Sequence, residues 1–457
     1  MPVSDSLAFA TVAELGRRLW SREFTSVELT RFFLERLERL GPKLNAVVTV
    51  TRERALTEAQ QADTELCSGR YRGPLHGIPY GAKDLLTTKG IPTTWGAAPF
   101  KEQIFDEDAV VVTKLREAGA VLAAKLAMVE IAGGLGYRQA NATFTGPGLN
   151  PWNLKHWAGG SSSGSGAAVA AGLVPFSIGT ETWRSIMTPA GNCGVTGLRP
   201  TYDLISRKGA MALTWTMDKI GPLARTAQDC GLILAAIQES SAAQPHAAAA
   251  TQCPFRIGVL SDAVTKVQPE VKANFEASLK VLERFATLSE FKLPDLPYGS
   301  VNSLIISCEM AAAFEDLAKN GTVWEMTADE DRWGLYSPLT IPAKDYINAQ
   351  RIRAIMQREV DTALTPFDAV VSPTLPSVAY PIDRPWDEYR TGLSGSQIGG
   401  AGNAAGIPAL SIPNGLGEAG LPTGLQLVGR AFSESRLLAI AQAYQQQTDW
   451  HFRHPAM

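Results

Sequence analysis

Ser161, Ser162 and Ser185 lie in two Gly/Ser-rich turns of one continuous stretch, GGSSSGSGAAVAAGLVPFSIGTETWRSIMTPAGNCGVTGLRP, which runs from Gly159 to Pro200. Clustered glycines let a backbone take unusual angles and approach a ligand closely, so its N–H groups can face a developing negative charge. A serine hydroxyl is a weak nucleophile until a base removes its proton. The stretch has the layout of a nucleophile beside an oxyanion hole, and it needs a base from elsewhere. A lone lysine is ordinarily a solvated surface charge, but Lys83 follows Ile78, Pro79, Tyr80, Gly81 and Ala82, all apolar or small. Such a setting draws the ammonium inward, where burial lowers its pKa and frees the neutral amine to act as a base.

Other chemistries fit less well. Gly160-Ser161-Ser162-Ser163-Gly164 satisfies G-x-S-x-G, which would make Ser162 the nucleophile of an α/β-hydrolase. That elbow must follow a buried strand, whereas the preceding NPWNLKHWAG is polar and aromatic. Its histidine would have to be His246, His451 or His454, in a linker-like stretch or the C-terminal tail. No lysine closes the glycine run as a phosphate-binding loop requires, and no His-x-x-x-His pair points to a metal.

GGSSSGSGAAVAAG followed by GTETWRSI and CGVTGLRPT resembles the signature of the amidase signature family of serine hydrolases, commonly worded GGSSGGS, DTGGSIR and CGLKPT. GIPYGAKDLL resembles the segment carrying that family's lysine, the separation of the two serines agrees, and looser likeness extends from the N-terminal helices to GLPTGLQLVGR. The resemblance implies an α/β fold with a single large mixed β-sheet covered by helices on both faces. It implies Ser185 as nucleophile, Ser161 on a cis peptide as bridging serine and Lys83 as base, with the N–H groups of Thr182, Trp183, Arg184 and Ser185 as the oxyanion hole. No metal or organic cofactor is implied. The substrate would be a small-molecule amide, with carbamate as a further class, since the family includes aryl acylamidases and urethanases. It also includes the amidase component of a tRNA-dependent transamidation complex, which works with small partner subunits and is kept as an alternative. Where the family commonly has Gly-Gly before its nucleophile this chain has Trp183-Arg184, so two large side chains would crowd the pocket mouth.

With 457 residues, 45% hydrophobic and 19% charged, the composition is that of an ordinary globular enzyme. Lys and Arg number 42 against 45 Asp and Glu, and no dense basic run offers a footprint for nucleic acid. The N-terminus lacks a signal-peptide pattern and no long apolar run predicts a membrane span, so the expectation is a cytoplasmic protein. A homodimer is left open. Five scattered cysteines predict neither disulfides nor a zinc site.

Along the chain, residues 1–70 read as an N-terminal helical layer, 71–240 as the signature core, and 255–457 as a second part of the same sheet within one amidase domain. Residues 11–40 predict two helices, the second opened by a Thr25/Glu28 capping box and ended by Gly41-Pro42; a third covers about 51–66. Gly73–Leu86 predicts a strand interrupted by Pro79 and ending at Lys83. Asp108–Leu126 predicts a helix, a stop at Gly119 and a strand, and Met128–Gly148 a loop lining the pocket, with Met128, Gly133, Gly134 and Arg184 as pocket residues. Thr226–Ala236 and Pro269–Ala286 predict helices, FRIGVL at 255–260 and FDAVVSPT at 367–374 strands, and Ser240–Pro254 a linker. Residues 300–365 read as largely helical, with Trp324, Trp333 and Tyr336 serving core packing or a substrate wall. Ser394–Gly415 is a second Gly-rich region expected to approach the first, and a final helix runs from a Ser433 cap to Gln447.

Overall fold

A computed structural model describes residues 5–239 and 254–457. The strands are β1 (Val47–Val50), β2 (Pro79–Lys83), β3 (Val121–Leu126), β4 (Leu149–Asn150), β5 (Asn153–Trp157), β6 (Phe176–Glu181), β7 (Thr196–Arg199), β8 (Lys219–Ala224), β9 (Phe255–Leu260), β10 (Ala286–Phe291), β11 (Ala369–Pro373), β12 (Ala409–Leu416) and β13 (Pro422–Val428). Eleven of them form one mixed sheet in the order β1-β3-β2-β6-β8-β7-β12-β13-β11-β9-β10, while β4 and β5 make a separate small hairpin. β2 runs parallel to both β3 and β6, and β8 is antiparallel to β6. All residues of β2, β3, β6 and β8 are buried, including the polar Lys83, Lys125, Ser177, Thr180, Glu181 and Lys219 that these strands carry.

Helices α1 (Val12–Trp20), α2 (Ser26–Leu44), α3 (Arg52–Cys67) and α4 (Val110–Glu117) come first in the chain. The capping box at the start of α2 is formed: Glu28 N donates to Thr25 Oγ1 at 3.1 Å, and Thr25 N to Glu28 Oε2 at 2.8 Å. The helix does not stop at Gly41-Pro42, however, and continues to Leu44 with Asn45 in the left-handed conformation at its end. Leu40 and Leu44 are both buried, so the last turn keeps its apolar contacts although Pro42 lacks an N–H. Pro79 likewise does not interrupt a strand but opens β2, a position that needs no ladder donor.

Signature residues form α5 (Ser163–Ala170) and α6 (Met187–Cys193). The first turn of α5 lies directly on the backbone at the end of β3. Gly164 N donates to Ala127 O at 2.8 Å, and a Cβ on Gly164 would stand 2.3 Å from Ala46 O, so only glycine permits this approach. That contact sets the height of the Ser161 turn relative to the sheet.

The later helices are α7 (Ala227–Ile237), α8 (Pro269–Leu282), α9 (Tyr298–Ala313), α10 (Glu315–Lys319), α11 (Asp329–Gly334), α12 (Ala343–Leu364), α13 (Trp386–Tyr389), α14 (Ile398–Ala405) and α15 (Glu434–Gln445). Thr226 caps α7 by accepting from Asp229 N at 3.0 Å. The predicted helix 269–286 ends earlier, at Leu282, because Ala286 begins the edge strand β10, whose mostly polar, partly exposed residues carry no apolar run. Ser433 does not cap α15 through its side chain; its hydroxyl donates to Arg430 O at 2.6 Å. The expected linker falls, Pro254 apart, outside the described residues. Among the described residues no helix is long and apolar enough to cross a membrane.

Candidate active site

Lys83 ends β2, and Thr180 lies near the end of the parallel neighbour β6, so the sheet brings both to one edge. Lys83 Nζ donates to Ser161 Oγ at 2.7 Å and to Thr180 Oγ1 at 2.9 Å. The lysine is fully buried. Burial drives its pKa down to about 7, against the opposing pull of the Asp218 and Glu181 carboxylates. Ser161, 1% exposed, follows a cis Gly160–Ser161 peptide bond.

The two serine turns touch directly, since Ser162 N donates to Ser185 O at 3.3 Å. Ser185 is 8% exposed and lines a cavity of about 650 Å³ together with Thr182, Trp183 and Arg184. No protein acceptor takes the N–H groups of residues 182–185 among the described residues. Ser162 is placed differently. It is fully buried, donates to Thr180 O at 3.1 Å and accepts from Thr180 N at 3.3 Å, which ties it to β6 and away from the cavity. Of the histidines weighed for it, His451 lies against Phe452 and His454 stacks on Phe9, and neither hydrogen-bonds Ser162; His246 is outside the described residues.

Beneath the second turn lies a charge network. Glu181 Oε2 accepts from Ile186 N at 2.9 Å and Met187 N at 3.0 Å, while Oε1 accepts from Arg199 at 2.9 Å and Asn403 at 3.1 Å. Burial pushes the Glu181 carboxyl up, but Arg199 and Lys219 outweigh it and hold the pKa at about 2. Asp218 holds the other end of the turn, accepting from Thr182 Oγ1 at 2.5 Å. Burial raises its pKa, and the bonds from Thr182, Thr214 and Leu213 work against the rise. Glu181→Gln would leave Arg199 buried without its charge partner, a loss of about 3–5 kcal/mol. Urea unfolding is expected to show a clearly lower midpoint for this variant; an unchanged midpoint would contradict the anchoring role.

Of the predicted pocket residues, Gly133, Gly134 and Arg184 line the cavity, but Met128 does not. Met128 is fully buried behind the loop, beside Gly96, where it packs into the core. Trp324 and Trp333 supply neither core nor cavity wall, whereas Tyr336 is partly buried and packs against the core. The three rings pack on one another, Trp324 45% and Trp333 65% exposed. The aromatic wall comes instead from Tyr137, Trp157, Tyr380 and Trp386, with Trp157 and Trp386 stacked at 4.3 Å. The second Gly-rich region does reach the first: Arg184 donates to Ser396 O at 3.1 Å. Thr180, Glu181, Asp218 and Asn403 are parts of the site that sequence reasoning missed. Thr180 and Glu181 could have been noticed as polar residues closing a buried strand immediately before the serine turn.

A buried lysine lies on one serine, and a second serine lines the cavity beside N–H groups that no protein acceptor takes among the described residues. The family model described as Amidase matches residues 28–438, and the chain belongs to this family, the amidase signature enzymes. It is similar to a glutamyl-tRNA(Gln) amidotransferase subunit from Roseiflexus sp. (strain RS-1), 37% identical over 97% of this chain and 98% of that one. Among solved structures it resembles the native peptide amidase of Stenotrophomonas maltophilia, with 30% identity, TM-score 0.85, and coverage of 96% of this chain and 97% of the other. The glutamyl-tRNA(Gln) amidotransferase subunit of the same name from Thermotoga maritima is also similar, at 25% identity and TM-score 0.78 over 100% and 99% of the two chains.

Proposed function

We propose that the chain hydrolyses the carbon–nitrogen bond of a linear amide, with carbamates as a further class, through an acyl-enzyme on Ser185. The observation that carries this reading is the 2.7 Å contact between a buried, low-pKa Lys83 and Ser161. Neutral Lys83 takes the proton of Ser161, which takes that of Ser185 as its oxygen attacks the carbonyl. The charge that develops on the carbonyl oxygen is received by N–H groups of residues 182–185; one such donor is typically worth about 3 kcal/mol. The proton returns through the same relay to the leaving nitrogen, the amine departs, and water cleaves the ester. Ser185 Oγ makes no hydrogen bond among the described residues, a contact that commonly tightens only once substrate is seated.

A second reading has specific support. The curated relatives carry the name of the amidotransferase subunit, and by sequence identity they favour that role over a free-standing amidase. Under it the same relay would work inside a complex with partner subunits. Trp183 and Arg184, in place of the two glycines common in the family, support the free-standing reading because they narrow the cavity around a small substrate. Gel filtration of the purified chain, with activity measured on matched aryl amide, ester and carbamate substrates, separates the two. Turnover by the chain alone is expected; activity that appears only when partner subunits are added would favour the second reading.

A further inference from the structure

Arg184 occupies a conformation that its side chain must justify. Its φ is 66°, in the left-handed region that favours glycine over a residue with a Cβ. Its guanidinium reaches across the cavity to the second Gly-rich region. There a Cβ on Gly399 would come within 2.9 Å and one on Gly395 within 3.0 Å of its nitrogens, so both glycines make room for it. The guanidinium donates to Ser396 O, and it has no carboxylate partner among the described residues.

Arg390 faces the same cavity and also lacks a carboxylate partner among the described residues. Among the described residues the cavity lining contains these two arginines and no aspartate or glutamate. Burial lowers the pKa of Arg184; Tyr380 and Glu181 pull it back up, and the charge of Arg390 lowers it further. Arg184 and Arg390 line one cavity with Ser394 and Gln397 as further polar groups, a set of donors whose chemistry suits a carboxylate. Tyr137, Trp157 and Trp386 line the same cavity with aromatic surface.

Resting on the amidase reading above, we infer that this site takes amides that carry an aromatic or apolar group and, at a distance from the scissile bond, a carboxylate held by Arg184 and Arg390. The clamp is a binding feature and can be tested without turnover. Isothermal titration of 4-phenylbutyrate and of its uncharged counterpart 4-phenylbutanol into the wild-type protein is expected to show the acid binding at least tenfold more tightly, with a preference that shrinks as salt is raised. Arg390→Gln, at an exposed position, is expected to reduce that preference at least fivefold, and Arg184→Gln likewise. The source of the carboxylate is separated by kinetics. Succinyl 4-nitroanilide against butyryl 4-nitroanilide places the charge on the acyl side, and N-acetyl-4-aminobenzoate against acetanilide places it on the amine side. A higher kcat/KM for the charged member of one pair, lost in Arg390→Gln, assigns the side. Equal binding of acid and alcohol, binding of neither, or a preference untouched by both arginine variants would overturn the inference. A protein that binds the acid through these arginines yet turns over no amide would leave the clamp standing and remove the amidase reading instead.

Discussion

Ser185→Ala is expected to abolish amide turnover, with a loss in kcat on the order of 10⁴-fold or more, because in the proposed relay it removes the nucleophile, and removing one member of a set that acts as a unit costs nearly its whole contribution. The residual rate would come from substrate binding and the N–H groups of residues 182–185 alone. The neighbouring serines serve as internal controls. Ser161→Ala breaks the 2.7 Å bond from Lys83 and the path of the proton, and should slow turnover severely. Ser162→Ala removes two hydrogen bonds to Thr180, each worth about 1 kcal/mol of stability, and should keep much more activity. Steady-state rates for the three variants, with thermal melts to confirm folding, check the order. A Ser162 variant as inactive as Ser185→Ala, and equally well folded, would contradict it.

Lys83→Met is expected to lower kcat by a factor on the order of 10³, within the range for losing a positioned general base. The proposed relay needs the neutral amine. With the lysine pKa lowered to about 7, the rate should rise with pH below that value and level off on its alkaline side. The same shift fixes the sign of a stability effect. The unfolded chain keeps this proton up to the ordinary lysine value of 10.5, whereas the folded protein releases it near 7. Between those values the unfolded state binds more protons, so this group's contribution to stability rises with pH and reaches its least favourable level below about pH 7. Lys83→Met removes that burden, and unfolding midpoints of the variant relative to wild type should therefore improve most at acid pH. A rate flat from pH 5 to 9, or wild-type turnover in Lys83→Met, would contradict the relay.

The parts of the site legible in the sequence are those written locally. The small, Gly-rich turns around Ser161 and Ser185 and the apolar run before Lys83 are short-range patterns, and each maps to one feature: a turn, a helix start on the sheet, a buried strand end. The single mixed sheet was expected from the resemblance to the amidase signature family. What stayed hidden is non-local. Glu181 finds Arg199 and Asn403 across the sheet, and Thr182 finds Asp218 on the neighbouring strand side, pairings that no periodicity encodes. The aromatic wall is assembled from separate loops around Tyr137, Trp157, Tyr380 and Trp386, whereas Trp324 and Trp333, clustered in sequence, pack on each other at the surface. Helix ends also moved where burial outweighed local signals. Pro42 did not stop α2 because Leu44 still reaches the core, and the polar edge strand β10 was hidden behind the helix that precedes it.

Whether Ser185 forms the covalent bond is tested most directly by labelling the protein with a fluorophosphonate and mapping the modified peptide by mass spectrometry. A single adduct on Ser185 is predicted, formed faster at alkaline pH and much more slowly in Lys83→Met. An adduct on Ser162 instead would contradict the relay.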